Sequence, residues 1–121
     1  FLKEKNRDVR VIAIEPEKGH TLSGLKNFQE SNKPWILDET LIDKTVRVPD
    51  GPAYETMIRL AREESLLAGP STGAIVWAAL QENLSADAVA VCISPDNAFK
   101  YTSFFAARVA NDGVPKVDLA V

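Results

Sequence analysis

The sequence predicts an α/β protein that contains part of an open, mainly parallel sheet flanked by helices. Two near-continuous apolar runs of strand length, residues 9–14 and 87–93, are typical of strands covered on both faces. Between them, residues 53–65 carry apolar side chains at helical spacing, and residues 69–80 are apolar nearly all round. Strands that alternate with helices favour a parallel sheet with helices on its faces.

The first half of the chain adds three elements. Residues 1–6 resemble the last turns of a helix, because an apolar pair is followed by Lys-Glu-Lys and cations complement the C-terminal end of a helix dipole. Residues 17–34 are polar, and we expect a loop there with a short helix near residues 22–27. Residues 45–48 alternate and predict a short strand.

The second half follows the same alternation. Residues 66–68 predict a short buried strand before the apolar helix, and Ser-Pro-Asp-Asn at 94–97 predicts a turn that opens a helix over residues 98–110. Residues 1–110 are therefore assigned to one structural unit, and residues 111–121 to a tail that leaves the last helix.

Composition excludes several classes of protein. The formal net charge is −3 and the basic residues are scattered, so we expect no nucleic-acid partner. No apolar stretch approaches the roughly 20 residues that span a bilayer, and no signal peptide is visible, so we expect a cytoplasmic protein without membrane contact. A single cysteine, Cys92, excludes a disulfide scaffold, and we expect it to be buried in a strand.

Two turns place small polar residues where a strand gives way to a helix, which is where open α/β sheets bind ligands. The first carries the hydroxyls of Ser71 and Thr72 at a helix N-terminus, and the alternative interpretation is that they only cap that helix. The second carries Pro95 and Asp96, and Asp96 is equally suited to cap the helix that follows it. Because the turns follow successive strands, we expect them to face one crevice.

Three segments resemble the cysteine synthases. Residues 61–74, ending in Gly-Pro-Ser-Thr-Gly-Ala, resemble the stretch in which a helix ends in Arg-Glu-Glu-Gly and a short strand leads into Gly-x-Ser-Ser/Thr-Gly-Ala. Residues 91–103 resemble the family's last strand and its Pro-Asp turn, and residues 1–16 resemble the segment after its glycine-rich phosphate loop. The resemblance runs in order to about Phe105 and is specific to the fold-type II pyridoxal-phosphate (PLP) enzymes rather than to one member.

This resemblance implies the C-terminal portion of the large domain of a PLP enzyme, a homodimer when intact. Such an enzyme makes L-cysteine from an activated serine and a sulfur donor. The family's Schiff-base lysine, its substrate-carboxylate loop and its phosphate cradle lie upstream of Phe1, and no lysine here has a matching context. We therefore expect that the chain holds no catalytic residue, needs the remainder of the same enzyme, and is inactive alone.

The resemblance also implies which residues hold PLP, namely Ser71, Thr72, Pro95 and Asp96. Ser71 matches the serine that hydrogen-bonds the pyridine nitrogen. A neutral hydroxyl does not hold that nitrogen protonated, and the moderate electron withdrawal suits β-elimination and β-replacement. Pro95 matches a residue that packs near the cofactor ring, whereas for Asp96 a helix cap remains the alternative.

The loop at residues 24–30 departs from the commonest cysteine synthase pattern, Gly-Ile-Gly-Ala-Gly-Phe. It resembles archaeal and actinobacterial relatives, some of which prefer O-phosphoserine and a sulfur-carrier thiocarboxylate. In one such relative a basic residue at the place of Lys26 recognises the substrate phosphate, and a lysine suits that role as a point charge. The alternative is a solvated loop lysine, so both O-acetylserine and O-phosphoserine remain open as substrates.

Two other functions remain open. The first is a lyase of the same fold type, such as a serine/threonine dehydratase or a cystathionine β-synthase. The second is an α/β binding module without catalysis. An upstream lysine segment and a glycine-rich loop in the full gene would separate the enzymes from the binding module.

Overall fold

The computed structural model describes residues 1–112 and contains two parallel strands. The strands β1 (Ile12–Pro16) and β2 (Lys44–Val48) pair side by side, with Ile12 opposite Lys44 and Pro16 opposite Val48. The described helices are α1 (Leu2–Lys5), α2 (Asp50–Glu63), α3 (Pro70–Leu80) and α4 (Thr102–Asp112), with 3-10 turns at Glu39–Leu41 and Ala98–Tyr101. No helix among these residues is long and apolar enough to cross a membrane. The predicted α/β class is confirmed.

The core lies between one face of the sheet and helices α2 and α3. Side chains alternate along a strand, so Ile14 of β1 and Val46 of β2 point to the same face and pack against the core. The fully buried residues at its centre are small or aliphatic: Leu22, Val48, Ala53, Ala74 and Ala78. The alanines are small, so α2 and α3 pack closely, and this packing fixes the start of α3 relative to the carboxyl ends of the strands.

Helix α2 ends in a left-handed residue. Ser65 has φ 58°, which turns the chain so that the Leu66 amide donates to the Leu60 carbonyl at 3.0 Å. Glycine is the residue that adopts this conformation without steric cost, and a side chain there costs about 1 kcal/mol. The family pattern has glycine at this position, so Ser65 marks a small departure that leaves the turn intact.

The two short apolar segments form no strand, which corrects the prediction. Residues 87–93 run as an exposed extended loop, with Val89 89 % exposed, and Leu66 and Leu67 are more than half exposed. An apolar segment becomes a strand only when a neighbour satisfies its backbone groups. Of these two segments, as far as the structure describes the chain, only Ala68 is part of a β-bridge, and it pairs antiparallel with Asn97. Cys92 is consequently exposed rather than buried.

Other boundaries also differ from the predictions. No helix forms near residues 22–27, because Gly24 takes a left-handed conformation with φ 89°, and the Asn27 side chain ties this loop to β1 by donating from its Nδ2 to the Pro16 carbonyl. Strand β1 starts three residues later than expected, since the Asp43 carboxylate accepts from the Val11 amide at 2.7 Å. Helix α4 reaches Asp112, and residues 113–121 of the predicted tail lie outside the described residues.

Candidate functional site

The two turns singled out in the sequence meet in the structure. The Ala98 amide donates to the Leu67 carbonyl at 2.9 Å, and the bridge between Ala68 and Asn97 lies beside it. This pairing brings Asp96 against the first turn of α3. The two turns are therefore in contact, although neither of the segments before them forms a strand.

The Asp96 carboxylate caps helix α3 from 25 residues away. One of its oxygens, Oδ2, accepts from the Ser71 amide at 3.0 Å, and the other, Oδ1, accepts from the Thr72 amide at 3.1 Å. The Thr72 hydroxyl donates to the same Oδ1 at 2.6 Å, and the Tyr101 hydroxyl lies 3.4 Å from Oδ2. The carboxylate thus satisfies two amides that a helix N-terminus leaves unpaired.

Both capping interpretations of the sequence were therefore wrong. Neither Ser71 nor Thr72 is the N-cap of α3, because that position is Gly69, which has no side chain to cap with. Asp96 does not cap the helix that follows it either, since the Asn97 side chain does so by accepting from the Phe99 amide at 3.1 Å. Local sequence rules predicted a cap at each turn, whereas the α3 cap comes from across the fold.

Position 69 requires glycine, because the Asp96 carboxylate lies very close to the backbone there. A Cβ there would overlap with the Asp96 carboxylate and the Tyr101 ring. Any larger residue would push the carboxylate away from the amides of Ser71 and Thr72.

Hydrogen bonding sets the charge state of Asp96. Burial raises the pKa of this carboxyl, but the hydrogen bonds from the Thr72 hydroxyl and from the amides of Ser71 and Thr72 outweigh it, and the pKa lies below its usual value. The positive end of the α3 dipole favours the same charge. A helix N-terminus is a common phosphate site, but here the carboxylate already fills it.

The Ser71 hydroxyl is buried and faces the loop after β1. Ser71 is 3 % exposed, and its Oγ donates to the Ser23 carbonyl at 3.1 Å. Gly24 is next to it, in the left-handed conformation, and a Cβ at this glycine would stand 3.1 Å from the Ser71 Oγ. Since Asp96 does the capping, the Ser71 oxygen keeps its lone pairs for another partner.

The remaining predicted residues differ in their exposure and in their contacts. The Thr72 hydroxyl contacts the Ser94 hydroxyl at 3.0 Å in addition to Asp96, so it is already fully engaged. Pro95 is exposed beside Asp96. Lys26 is exposed two residues beyond Gly24 and forms no ion pair in the part of the chain that the structure describes.

Sequence reasoning missed three contributors to the site. Ser23 supplies the carbonyl that Ser71 bonds, Gly24 passes close to the Ser71 hydroxyl, and Tyr101 reaches Asp96 from the 3-10 turn. The Ser-Gly pair that follows the end of β1 was a usable signal, because glycine after a strand often marks a close backbone approach. For Tyr101 the sequence offered no signal that distinguished it from a core residue.

Comparison with known proteins decides the family. Residues 1–96 match the family model described as pyridoxal-phosphate dependent enzyme. The chain belongs to the pyridoxal-phosphate dependent enzymes. The cofactor of this family is PLP, as the resemblance implied.

The relatives place the chain near the cysteine synthases. It is 38 % identical over 111 residues to a probable cysteine synthase of Bacillus subtilis, covering 84 % of this chain and 36 % of that protein. It is 35 % identical over 106 residues to a cysteine synthase of Aquifex aeolicus, covering 83 % of this chain and 32 % of the relative. The chain therefore spans about a third of the length of the curated relatives it matches.

Solved structures give the same fold. An O-ureido-L-serine synthase superposes with a TM-score of 0.78 at 32 % identity, covering 95 % of this chain and 38 % of the other. An O-acetylserine dependent cystathionine β-synthase from Helicobacter pylori superposes with a TM-score of 0.73 at 31 % identity, covering 84 % and 36 %. Both support part of a fold-type II PLP enzyme.

The residues present fit one end of PLP. Ser71 offers a neutral, buried hydroxyl beside a glycine, and its oxygen can accept from a protonated pyridine nitrogen, or donate to an unprotonated one once the hydroxyl turns from the Ser23 carbonyl. The phosphate end finds no place at the start of α3, because Asp96 occupies the two amides there. The start of α3 is therefore suited to the ring of the cofactor rather than to its phosphate.

We predict that Asp96→Asn lowers the free energy of unfolding at neutral pH by about 1 kcal/mol, because the charged cap of α3 is lost. The pKa of Asp96 is lowered in the folded chain, so its contribution is complete above the unfolded pKa of about 3.9 and is lost as the pH falls through the folded value. Denaturant titrations should show a wild-type-minus-variant difference that is constant above about pH 5 and shrinks below about pH 4.

The control is Asp8→Asn, which changes an exposed carboxylate outside the site and should leave stability within about 0.5 kcal/mol of wild type. An Asp96→Asn difference that stays the same down to low pH would show that the carboxylate charge does not hold the helix.

Proposed function

We propose that this chain supplies part of the active site of a PLP-dependent enzyme that makes L-cysteine from an activated serine and a sulfur donor. The observation that carries the proposal is the buried Ser71 hydroxyl, which does not cap α3, because Asp96 does so, and which lies close to Gly24. The identity of 38 % to a probable cysteine synthase supports the same reaction class.

Ser71 is proposed to hold the pyridine nitrogen of the cofactor. When bound, PLP withdraws electrons from the amino-acid substrate so that a group on its β-carbon can leave and be replaced. The Ser71 hydroxyl is neutral, so, unlike a carboxylate, it does not by its charge hold the ring nitrogen in the protonated form. The Ser23 carbonyl, 3.1 Å from the Ser71 Oγ, keeps the hydroxyl turned toward this side of the helix.

Thr72, Pro95 and Asp96 are proposed to support the same end of the cofactor. The hydrogen bonds between Thr72 and Asp96 orient the first turn of α3, and Ser71 takes its position from that turn. Pro95 is exposed next to Asp96 and offers an apolar, rigid surface on which a ring can pack. In this account Thr72 and Asp96 act by positioning Ser71.

The rest of the active site is proposed to come from the remainder of the same enzyme, as a homodimer. None of the lysines of this chain lies in the sequence context of the family's Schiff-base lysine. We therefore propose that the chain alone does not catalyse the reaction. A cystathionine β-synthase or a dehydratase is the alternative within the family. The H. pylori relative named above supports that alternative, whereas nothing favours a binding module without catalysis.

In the intact enzyme, Ser71→Ala should keep the fold, shift the absorbance spectrum of the bound cofactor, and lower the turnover rate by up to about tenfold. One neutral hydrogen bond contributes about 0.5–1.5 kcal/mol, and the rate falls by that amount if the bond strengthens in the transition state. The measurements are the cofactor spectrum and steady-state kinetics. Ser103→Ala, an exposed serine on α4, serves as the control. Unchanged spectrum and turnover in Ser71→Ala would make Ser71 a packing residue only.

Lys26 is proposed to bind the anionic group of the substrate. It is exposed, lies in the loop that also supplies Ser23 and Gly24, and is not engaged in an ion pair with the described residues. An exposed ammonium in this loop suits a phosphate on the serine side chain, because it acts as a point charge. On this basis the substrate is O-phosphoserine rather than O-acetylserine.

If Lys26 binds this phosphate, the intact enzyme should prefer O-phosphoserine, and Lys26→Ala should reduce the preference roughly ten- to 150-fold. A hydrogen bond to a charged group contributes about 1.5–3 kcal/mol, which sets that range. The measurement is the ratio of kcat/KM for the two substrates in wild type and variant. Lys18→Ala, an exposed lysine earlier in the same loop, is the matched control. A wild-type preference for O-acetylserine that survives Lys26→Ala would return Lys26 to the role of a solvated lysine.

A further inference from the structure

The acceptor that holds the Ser71 hydroxyl belongs to a loop rather than to a helix or a strand. The Ser71 Oγ donates to the Ser23 carbonyl at 3.1 Å, and Ser23 is exposed in the loop after β1. Loops move more than the elements that they connect, so a loop carbonyl keeps a fixed direction only where its neighbours are held in place. The residues on either side of Ser23 therefore determine where the Ser71 hydroxyl points.

One side of this loop is held by a carboxylate of helix α2. The Asp50 Oδ2 accepts from the Thr21 amide at 2.6 Å and from the Thr21 hydroxyl at 2.6 Å. Hydrogen bonds to an ionised carboxylate are shorter and stronger than those between neutral groups. Asp50 is also the first residue of α2, where the positive end of the helix dipole favours a negative charge. Thr21, two residues before Ser23, is thus tied to the start of α2.

Two further contacts hold the loop against the rest of the fold. Leu22, next to Ser23, is 1 % exposed and belongs to the core between the sheet and helices α2 and α3. Asn27 is equally buried, and its Nδ2 donates to the Pro16 carbonyl at 2.8 Å. The loop is therefore held on both sides of Ser23, and among these contacts the one with Asp50 involves a charge.

The carboxylate of Asp50 depends on Thr21 in turn. Its second oxygen, Oδ1, is buried and has no hydrogen-bond partner among residues 1–112. In the same part of the chain, both hydrogen bonds that the carboxylate accepts come from Thr21. A partly buried charge needs donors, so the loss of one of them would loosen the carboxylate together with the loop that it holds.

We propose that Asp50 is a positioning residue for the Ser71 hydroxyl, acting through Thr21 and the Ser23 carbonyl. The inference rests on the proposed function for the last step, from Ser71 to the ring of the cofactor. Asp96 holds the Ser71 amide, whereas Asp50 fixes the acceptor of the Ser71 hydroxyl. Two carboxylates from different elements thus set the position and the direction of one serine.

The first test is the spectrum of the cofactor in the intact enzyme. Thr21→Val removes the hydroxyl bond to Asp50 at nearly unchanged shape. The absorbance of bound PLP should shift in the same direction as in Ser71→Ala but less, and turnover should fall roughly two- to fivefold. In the Ser71→Ala background Thr21→Val should add nothing, and Thr21→Ser, which keeps a hydroxyl, should have the wild-type spectrum. A shift that is equally large with and without the Ser71 hydroxyl would contradict the inference.

The second test needs no cofactor and therefore separates this inference from the proposed function. In denaturant titrations of the 121-residue chain, Thr21→Val and Ser71→Ala should be non-additive by about threefold or more in the unfolding equilibrium constant. Thr40→Val is the matched control, because the Thr40 amide and hydroxyl both donate to the Asp38 carboxylate at an exposed 3-10 turn. The control should be additive with Ser71→Ala.

The two tests distinguish the possible failures. Non-additivity together with an unchanged cofactor spectrum in Ser71→Ala would refute the cofactor role of Ser71 and support its positioning by Asp50. Asp50→Asn, which removes the charge, should show the same coupling to Ser71→Ala, and Thr21→Val alone decides if Asp50→Asn does not fold. Additivity of Thr21→Val with Ser71→Ala, at the level of the control, would overturn the inference whatever the spectrum shows.

Discussion

One carboxylate holds the candidate site together. Asp96 accepts from the amides of Ser71 and Thr72 and from the Thr72 hydroxyl, and so it joins the turn at residues 94–97 to the first turn of α3. A helix N-terminus presents both unpaired donors and a partial positive charge, and a buried anion satisfies both. Without this bond the described contacts between the two turns would be the bridge between Ala68 and Asn97, the hydrogen bond from the Ala98 amide to the Leu67 carbonyl, and the contact between the Thr72 and Ser94 hydroxyls.

The same bond determines what the start of α3 can bind. Because the carboxylate occupies the helix amides, a phosphate cannot use them, whereas the Ser71 hydroxyl, which donates to the Ser23 carbonyl, still has lone pairs that can accept. We propose that this hydroxyl meets the ring nitrogen of the cofactor. This division agrees with a chain that covers about a third of its relatives, since the phosphate of PLP would then be held elsewhere in the enzyme.

The local sequence pattern was sufficient to predict the helices, whose backbone hydrogen bonds lie within the segment itself. Helices α2 and α3 were predicted from apolar spacing and from the Gly-Pro start of α3, because helical hydrogen bonds lie within the segment. Residues 87–93 were wrongly predicted as a strand, because a strand depends on a neighbour that the segment itself does not specify. The candidate site shows the same difference between features set by local sequence and contacts made across the fold. Ser71 was found from its motif, whereas the capping of α3 by Asp96 joins residues 25 apart, and no local rule contains that contact.

The most direct test of this account is a double-mutant cycle between Asp96→Asn and Thr72→Val, measured as free energies of unfolding by denaturant titration at neutral pH. Asp96 and Thr72 share two hydrogen bonds, one from the amide and one from the hydroxyl, and only the hydroxyl bond is removed by Thr72→Val. If the carboxylate holds the helix start, the two substitutions should be non-additive by about 0.5–3 kcal/mol. Strict additivity would contradict the claim that Asp96 organises the turn on which Ser71 stands.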